Sequence, residues 1–403
     1  MKILWVKSDF LHPATKGGQI RTLEILKRLH PRHEIHYAAL DLGGQKGGVE
    51  HSWEYCSRAY PIPHCAPPRS SPAFWRQAVN GLFDSVPLAV SRYRSDALKR
   101  LVDHLLRTER FDAAVCDFLN AAPNIPDLGS VILFQHNVEA LIWKRHVEHA
   151  ANPLHKYYLR GQYQRMVRYE SDVCRAVNRI IAVSGEDARR MQTEYGVAHV
   201  DWAPTGVDLD YFCPRATSEP VTDFVFTGSM DWMPNADAVR WFVTEVLPLI
   251  RKRHPACSLA IVGRRPHNEI QKLAQRDARI RVTGTVHDIR PYLWSSAVSI
   301  VPLRIGGGTR LKIFEAMAAK IPVVSTSIGA EGLDVRHGEN ILIADSPQDF
   351  ADACSALLDD SAARLRLSTA AWEMVSCRCS WDVVSSVFEQ LLFPVNCLLK
   401  FAK

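Results

Sequence analysis

The residues best suited to chemistry lie in a glycine-rich stretch of the C-terminal half. Residues 306–312 read Gly-Gly-Gly-Thr-Arg-Leu-Lys, two residues after an apolar run at 297–303 that is typical of a buried strand. No helix breaker follows, so a helix is predicted to begin at this turn, and its unpaired N–H groups attract anions. Arg310 and Lys312 lie at the same helix end, where the dipole alone favours acids. The pattern therefore indicates a site for a multiply charged anion such as a diphosphate. Its backbone donors would come from Gly307, Gly308 and Thr309.

Glu315 lies one helical turn beyond Arg310, where a carboxylate can accept hydrogen bonds from the vicinal hydroxyls of a ribose. A diphosphate together with a ribose describes a nucleotide-activated donor. The alternative is a flexible glycine loop with solvated charges, and short motifs do match by chance. A strand before the motif, a helix within it and a second strand at 322–326 favour the anion site.

The stretch from Val301 to Leu333 resembles the donor site of retaining glycosyltransferases of family 4, which have the GT-B fold. It contains Gly-Gly-Gly-Thr-Arg-Leu-Lys, Glu-Ala-Met-Ala, Pro-Val-Val-Ser-Thr and Gly-Ala-Glu-Gly-Leu, and the likeness extends over nearly the whole chain. The resemblance is strongest to bacterial sugar transferases of exopolysaccharide-type gene clusters. The resemblance implies sugar transfer from a nucleoside diphosphate sugar to a hydroxyl acceptor with retention of configuration. It implies neither a metal nor another cofactor.

One position departs from that family. Many relatives have an earlier glutamate that contacts the transferred sugar, and this chain has Gly307 there. The contact must then come from the backbone or from another residue.

Composition limits the class of protein. A chain of 403 residues is long enough for two or three domains, and 47% hydrophobic with 23% charged residues is typical of a folded protein. The net charge is +6, and the sequence contains no long run of like charges, so no nucleic-acid partner is implied. The ten cysteines form no disulfide or metal framework and indicate a reducing, cytoplasmic compartment. Peripheral contact with the inner face of a membrane stays open.

Short apolar runs alternate with amphipathic stretches, which predicts parallel sheets covered by helices. The fold class is therefore α/β, with two doubly wound, Rossmann-like domains facing a central cleft. We predict an acceptor-side domain at 1–205, a donor domain at 206–380 and a C-terminal helix at 381–403, which the resemblance implies packs back on the first domain. The proline-rich residues 61–72 are predicted to be a loop outside any ladder, and Asn235 is predicted to cap a helix at 236–253.

Two motifs of the first domain follow predicted strands. Gly17 and Gly18 come after the first strand and fit either a plain tight turn or a loop close to a ligand. His136 follows the strand at 131–135, where functional groups of α/β sheets collect, although one of sixteen histidines can also be a surface or packing residue. The resemblance implies that the glycine loop lies over the donor phosphates and the acceptor, and that His136 contacts the donor sugar.

Three further positions follow strands of the second domain. Gly228 would let a phosphate approach the backbone closely, and a simple strand-to-helix turn would explain it equally. Many relatives have an arginine next to it or nearby, where this chain has Ser229. Arg264 is a candidate for the missing cation, and a solvated arginine is the equal alternative. In relatives the loop that contains Val286 meets the nucleobase through its backbone.

Asp208 and Asp210 form an Asp-x-Asp pair, a spacing that can hold a divalent cation. The surrounding residues match the interdomain linker of the GT-B group instead, so no metal site is predicted. Two other functions remain open on this fold: a nucleotide-sugar epimerase, and a non-catalytic protein that binds nucleotide sugars.

Overall fold

The computed structural model describes residues 1–14, 16–43, 47–65, 71, 86–148, 150, 152–214, 221–305 and 311–393. These residues divide into two compact units. The first unit contains the described residues up to Thr205 and those from Val384 onward. The second unit contains the described residues between Gly206 and Val383.

The first unit is built on a parallel sheet. Its strands in the described residues are β1 (Lys2–Lys7), β2 (Glu34–Asp41), β3 (Arg58–Pro63), β4 (Ala113–Asp117), β5 (Ile132–Phe134), β6 (Arg179–Ala182) and β7 (Val200–Trp202). They lie in the order β3-β2-β1-β4-β5-β6-β7, and every pairing is parallel. Because the order reverses beside β1, the carboxyl ends of β1 and β4 flank a crevice, where ligands bind in such sheets.

Helices connect these strands. The longer ones are α1 (Gly17–Leu29), α2 (Asp96–Thr108), α3 (Glu139–Glu148), α4 (Pro153–Ala176) and α5 (Gly185–Tyr195). Short helical turns occur at Ser52–Glu54, Leu88–Ser91, Ala122–Asn124 and Leu128–Ser130. The hydroxyls of Ser95 and Ser184 accept backbone N–H groups at the starts of α2 and α5, as helix caps do. Gly196 ends α5 with a left-handed φ of 66°.

The core of the first unit lies on both faces of its sheet. The run from Ile3 to Val6 is completely buried, as expected for a central parallel strand. Trp5 packs against Phe134 and against Phe388, with ring centroids 6.1 and 5.8 Å away. Phe388 belongs to the C-terminal helix of the chain, so this helix completes the first unit's core.

The second unit repeats the same architecture. Its strands in the described residues are β8 (Thr222–Thr227), β9 (Leu259–Val262), β10 (Ile280–Val282), β11 (Ser296–Val301), β12 (Val323–Ser325) and β13 (Leu342–Ile343). They lie in the order β10-β9-β8-β11-β12-β13, again with parallel pairing. The predicted fold class, α/β with two parallel-sheet domains, is confirmed.

The longer helices of the second unit are α6 (Met233–Trp241), α7 (Leu247–Arg253), α8 (Asn268–Arg276), α9 (Leu311–Ala318), α10 (Pro347–Asp359) and α11 (Ser361–Arg378). Short helices occur at Leu209–Phe212 and Arg290–Trp294, and the C-terminal helix is α12 (Trp381–Leu392). None of the helices in the described ranges is long and apolar enough to cross a bilayer.

Two local predictions are wrong. Pro61 and Pro63 pair with β2 as part of β3, although they were expected in a loop. Because β3 is the edge strand, a proline there leaves its neighbour's ladder intact. The remainder of the expected loop lies largely outside the described residues.

The second error concerns the helix after β8. It begins at Met233 with Trp232 in the cap position, so Asn235 lies within its first turn and does not cap it. A π-helical segment, Phe242–Val246, then joins α6 to α7. Asn235 has another role, which the site geometry shows.

Candidate functional site

Two glycines meet at the carboxyl edge of the second unit's sheet. Gly228 follows β8 and Gly263 follows β9. A Cβ on Gly263 would stand 1.7 Å from the carbonyl oxygen of Gly228, so no other residue fits there. A Cβ on Gly228 would stand 2.8 Å from Nζ of Lys312. The backbone and a cation therefore approach each other at this edge.

Lys312 is held beside Gly228 by a neutral amide and an aromatic ring. Its Nζ donates to Oδ1 of Asn235 at 2.9 Å and lies 4.2 Å from the centroid of the Phe226 ring. The amide nitrogen of Asn235 in turn donates to the carbonyl of Ser229 at 2.8 Å, and Asn235 is buried. The ammonium thus has a fixed position at the carboxyl end of β8.

Arg264 reaches the same edge. Its Nε donates to the hydroxyl of Ser229 at 2.5 Å. The structure therefore brings together three of the predicted donor-site residues, Gly228, Arg264 and Lys312. Arg310, Gly307, Gly308 and Thr309 lie outside the described residues.

Glu315 lies on α9, close to one turn beyond Lys312. Burial raises the pKa of its carboxyl to about 7, while the charge of Lys312 acts in the opposite direction. The pKa of the Tyr211 phenol is raised, mainly by burial and then by the charge of Asp288. Glu315 lies near enough to make a smaller contribution in the same direction. Arg290 stacks on that ring at 3.8 Å. This acidic and aromatic corner adjoins α9.

Val286 lies two residues before Asp288 in the sequence. It is partly buried and packs against the apolar core of the second unit, in the loop that follows the edge strand β10. Gly284 in this loop has a left-handed φ of 70° and open space around it. A nucleobase contact from this loop stays a prediction.

The first unit also places predicted residues together at its carboxyl edge. Gly17 begins α1, and a Cβ on Gly18 would stand 3.6 Å from Nδ1 of His136. His136 is buried, and both of its ring nitrogens are engaged. Nε2 donates to Oδ1 of Asp117 at 2.6 Å, and Nδ1 accepts from Arg21 at 3.0 Å. These contacts fix the imidazole in its neutral, Nε2-protonated form.

Asp117 is the centre of this network. Its carboxylate accepts from His136, from the ammonium of Lys7 at 2.7 Å and from the indole of Trp5 at 2.8 Å, and also from Thr22. Burial alone would raise the pKa of Asp117, but Lys7 and His136 outweigh it and hold the pKa below its ordinary value. For His136, burial lowers the pKa to about 4 against the opposing effect of Asp117.

Arg21 is buried in the same network. It donates to His136 and to the hydroxyl of Thr205, and burial lowers its pKa to about 10. Charged groups so deeply enclosed are retained where they are paired or hydrogen-bonded. The first unit's edge is thus a closed cluster whose charges act on one another.

Residues 221–360 match the family model described as "Glycosyl transferases group 1". These residues form a group 1 glycosyltransferase domain. It contains Gly228, Arg264, Lys312 and Glu315, whereas Gly17 and Gly18, also predicted to bind the donor, lie outside the matched segment.

Two curated relatives share sequence with the chain. An uncharacterised 44.6 kDa protein in the cps region of Klebsiella pneumoniae is 23% identical over 362 residues, covering 87% of this chain and 89% of that protein. A D-inositol 3-phosphate glycosyltransferase of Pseudarthrobacter chlorophenolicus is 27% identical over 215 residues, covering 48% of this chain. That match spans 50% of the relative's own length.

Solved structures show the same fold over the whole chain. Sucrose-phosphate synthase from Thermosynechococcus elongatus has a TM-score of 0.71 at 16% identity, covering 100% of both chains. Anabaena HepE in complex with UDP and glucose has a TM-score of 0.66 at 14% identity, covering 98% of this chain and 100% of that one. These likenesses establish the GT-B glycosyltransferase fold.

The Asp-x-Asp pair precedes the glycosyltransferase domain. Asp208 caps the short helix at Leu209–Phe212, because its Oδ1 accepts the backbone N–H of Tyr211 at 2.8 Å. Within the described ranges, no group of three or more His, Cys, Asp or Glu side chains is arranged to hold a metal ion.

Several residues of both edges escaped sequence reasoning. Asn235 and Phe226 position Lys312 in the glycosyltransferase domain, and Asp117, Arg21 and Lys7 surround His136. Asp117 is the last residue of β4, and His136 follows β5 in a similar way. The rule that functional groups collect at the carboxyl ends of strands therefore also points to Asp117. Asn235 and Arg21 lie within helices, where no such rule applies.

A second buried carboxylate organises the loop that contains His136. Glu170 of α4 accepts from the backbone of Glu139 at 2.9 Å and of Ala140 at 2.8 Å, and from the side chains of Gln135 and Tyr195. Burial raises its pKa to about 7, and these hydrogen bonds act in the opposite direction. For Glu139, burial and then the charge of Glu170 raise the pKa to about 8. The start of α3 is thus fastened to α4 just after the strand that precedes His136.

Proposed function

We propose that this protein is a retaining glycosyltransferase of family 4 that moves a hexosyl group from a nucleoside diphosphate sugar to a hydroxyl acceptor. The observation that supports it best is the ammonium of Lys312 beside the backbone of Gly228. It lies within a group 1 glycosyltransferase domain, at the edge where α/β sheets bind ligands. A neighbour of the same fold binds UDP and glucose, which agrees with this class of donor.

The proposed chemistry is the stabilisation of a leaving group. As the sugar departs, negative charge builds on the diphosphate, and preorganised donors aimed at that charge lower the barrier. Lys312 supplies one such donor. Arg310 and the backbone of 307–309 complete the set in this proposal, and Glu315 accepts from the ribose. His136 contacts the sugar from the first unit, and the departing phosphate oxygen takes the acceptor's proton.

We further propose that transfer needs no divalent metal. The Asp-x-Asp pair offers a poor site because the carboxylate of Asp208 is engaged as a helix cap. Lysine and arginine would take the role that a metal plays on the diphosphate. Activity should survive EDTA; its complete loss with EDTA and recovery with Mn²⁺ or Mg²⁺ would contradict this proposal.

The proposed setting is polysaccharide or glycolipid biosynthesis at the cytoplasmic face of the membrane. The relative from a cps region supports the pathway. The acceptor would be a hydroxyl of a glycan or of a lipid-linked sugar.

One assay distinguishes the proposed function from the other two. The purified full-length chain is incubated with a panel of UDP-, GDP-, ADP- and dTDP-sugars, with and without glycan or lipid-linked acceptors. A transferase releases nucleoside diphosphate in an acceptor-dependent way, and NMR of the product reports the retained anomer. An epimerase converts the nucleotide sugar without an acceptor, and a binding protein does neither. Either of those results would contradict the proposal.

A further inference from the structure

The N-terminal turns of α4 are exposed on every side. Each residue from Asn152 to Tyr158 is exposed, and Leu154 and Tyr157 keep 84% and 83% of their surface in solvent. Buried residues recur along α4 only from Leu159 onward. We call residues 152–160 the hairpin tip, because α3 and α4 pack on each other as a helical hairpin. Large apolar side chains so exposed on a helix stand out from an ordinary surface.

The hairpin tip extends beyond the carboxyl edge of the first unit's sheet. Glu170 marks the level of that edge, because it binds the backbone of Glu139 and Ala140, just after β5. At 1.5 Å per residue, Arg160 lies about 15 Å and Leu154 about 24 Å further along the helix axis. The tip therefore projects on the side of the sheet where His136 lies.

The charged side chains within the tip are all basic. Between Glu148 and Glu170 the sequence contains no acidic residue, and it contains Lys156, Arg160, Arg165 and Arg168. Of these, Lys156 and Arg160 are exposed and share the tip with Leu154, Tyr157 and Tyr158. The nearest acid along the chain is Glu148, at the end of α3.

We propose that the hairpin tip docks on the surface of an anionic lipid bilayer. Cations beside leucine and tyrosine suit the boundary between anionic headgroups and acyl chains, where tyrosine is also enriched. A projecting tip whose residues 152–158 are all exposed can enter a fluid surface, whereas a fitted protein interface needs a broader complementary face. Charge complementarity thus favours an anionic membrane as the partner.

Docking in this way deepens the proposed function. It would hold the carboxyl edge of the first unit close to the headgroup layer, where a lipid-linked acceptor presents its sugar hydroxyl. Only this consequence rests on the proposed function, because lipid binding itself needs no donor and no catalysis.

The test is co-sedimentation of the full-length protein with vesicles of phosphatidylcholine, alone or mixed with phosphatidylglycerol. We expect the wild type to bind the mixed vesicles, and to bind them less at high salt because surface charges are screened. Leu154→Ser with Tyr157→Ser should weaken binding at least ~10-fold, as the loss of two inserted apolar side chains implies. Lys156→Glu with Arg160→Glu should weaken it ~10-fold or more.

Leu365→Ser is the matched control. Leu365 is 68% exposed on α11 of the second unit, so it tests an exposed leucine that does not belong to the tip. It should bind vesicles as the wild type does. Because all these positions are exposed, the variants should keep the wild-type melting temperature. Their affinity for nucleoside diphosphate should also be unchanged.

Two results would overturn the proposal. One is a wild type that stays in solution with both kinds of vesicle, which would make the tip a contact for a protein or a glycan. The other is tip variants that bind mixed vesicles as tightly as the wild type. Neither result bears on donor binding, so it would leave the proposed transferase activity standing.

Discussion

The carboxyl edges of the two sheets use charge differently. In the first unit, Asp117 accepts from Lys7 and His136 in a fully buried cluster. In the second unit, the half-buried ammonium of Lys312 is positioned by an amide and an aromatic ring. The first arrangement satisfies charged groups with one another, and the second orients a cation beside a glycine backbone.

The difference assigns the two edges different tasks in the proposed reaction. A buried carboxylate that fills its lone pairs with four donors holds a loop and an imidazole in place, at a high cost if one partner is lost. The ammonium of Lys312 lies beside the Gly228 backbone, at the edge where we propose that the diphosphate binds. We therefore expect variants of the first edge to act mainly on stability and geometry, and variants of the second edge to act on donor binding.

The largest expected effect is that of Asp117→Asn. It removes the negative charge between Lys7 and the buried Arg21, so we expect the free energy of unfolding to fall by about 3–5 kcal/mol. Urea denaturation followed by circular dichroism measures it. Asp103→Asn, which removes the partner of Arg107 at the surface, is the control and should change stability by about 0.5 kcal/mol or less. Equal stability of Asp117→Asn and the control would show that the buried cluster is not what holds this edge.

The next effect concerns pH and His136. Burial lowers its pKa to about 4 in the folded state, below about 6.5 in an unfolded chain. Between these values the unfolded state binds the extra proton. The contribution of His136 to stability is therefore fully present above pH about 6.5 and is lost as the pH falls towards 4.

His136→Gln removes this proton uptake. The stability difference between wild type and variant should therefore shrink by up to about 3 kcal/mol from pH 6.5 to 4, at 1.36 kcal/mol per pKa unit. Urea denaturation of both proteins across this range measures it. If the free energies of unfolding of both proteins changed equally with pH, the imidazole of His136 would not be buried in its neutral form.

The smallest expected effect is that of Glu315→Gln. If its carboxylate accepts hydrogen bonds from the ribose, the variant should bind nucleoside diphosphate and the intact donor about tenfold more weakly. This is the effect expected from losing one hydrogen bond to a charged group. Because burial raises the pKa of Glu315 to about 7, wild-type affinity should rise from pH 6 to 8, and the variant should lose this dependence.

Calorimetry checks both expectations for Glu315. Glu373→Gln, an exposed glutamate on α11, is the control and should behave as the wild type. Unchanged nucleoside diphosphate affinity with abolished transfer would instead place Glu315 at the anomeric carbon.

Local sequence patterns predicted most of the fold. Apolar runs predicted strands at 297–303 and 322–326, because parallel strands are buried on both faces. The structure has β11 (Ser296–Val301) and β12 (Val323–Ser325) at these places. The same reasoning missed the two edge strands of the first sheet. β3 contains two prolines, and β7 has an aspartate at its centre. Edge strands need less apolar surface, so their signal is weak.

The candidate site was harder to predict because its partners are distant in sequence. Gly228 and Lys312 were singled out separately, yet only the fold shows that 2.8 Å would separate an added Cβ from Nζ. Asn235 is the clearest example. Its position after a proline is typical of a helix cap, whereas burial within the first turn directs its amide to Lys312 and Ser229.

The most direct test of the central claim is the affinity for nucleoside diphosphate, measured by calorimetry on Lys312→Met, Lys320→Met and His136→Ala. Lys320 is the matched control, since its ammonium also lies over a ring, 4.5 Å from Trp372, but before β12 at the opposite sheet edge. The account predicts that Lys312→Met binds about 10- to 100-fold more weakly, while the other two bind as the wild type does. Wild-type affinity in Lys312→Met together with a large loss in His136→Ala would contradict it.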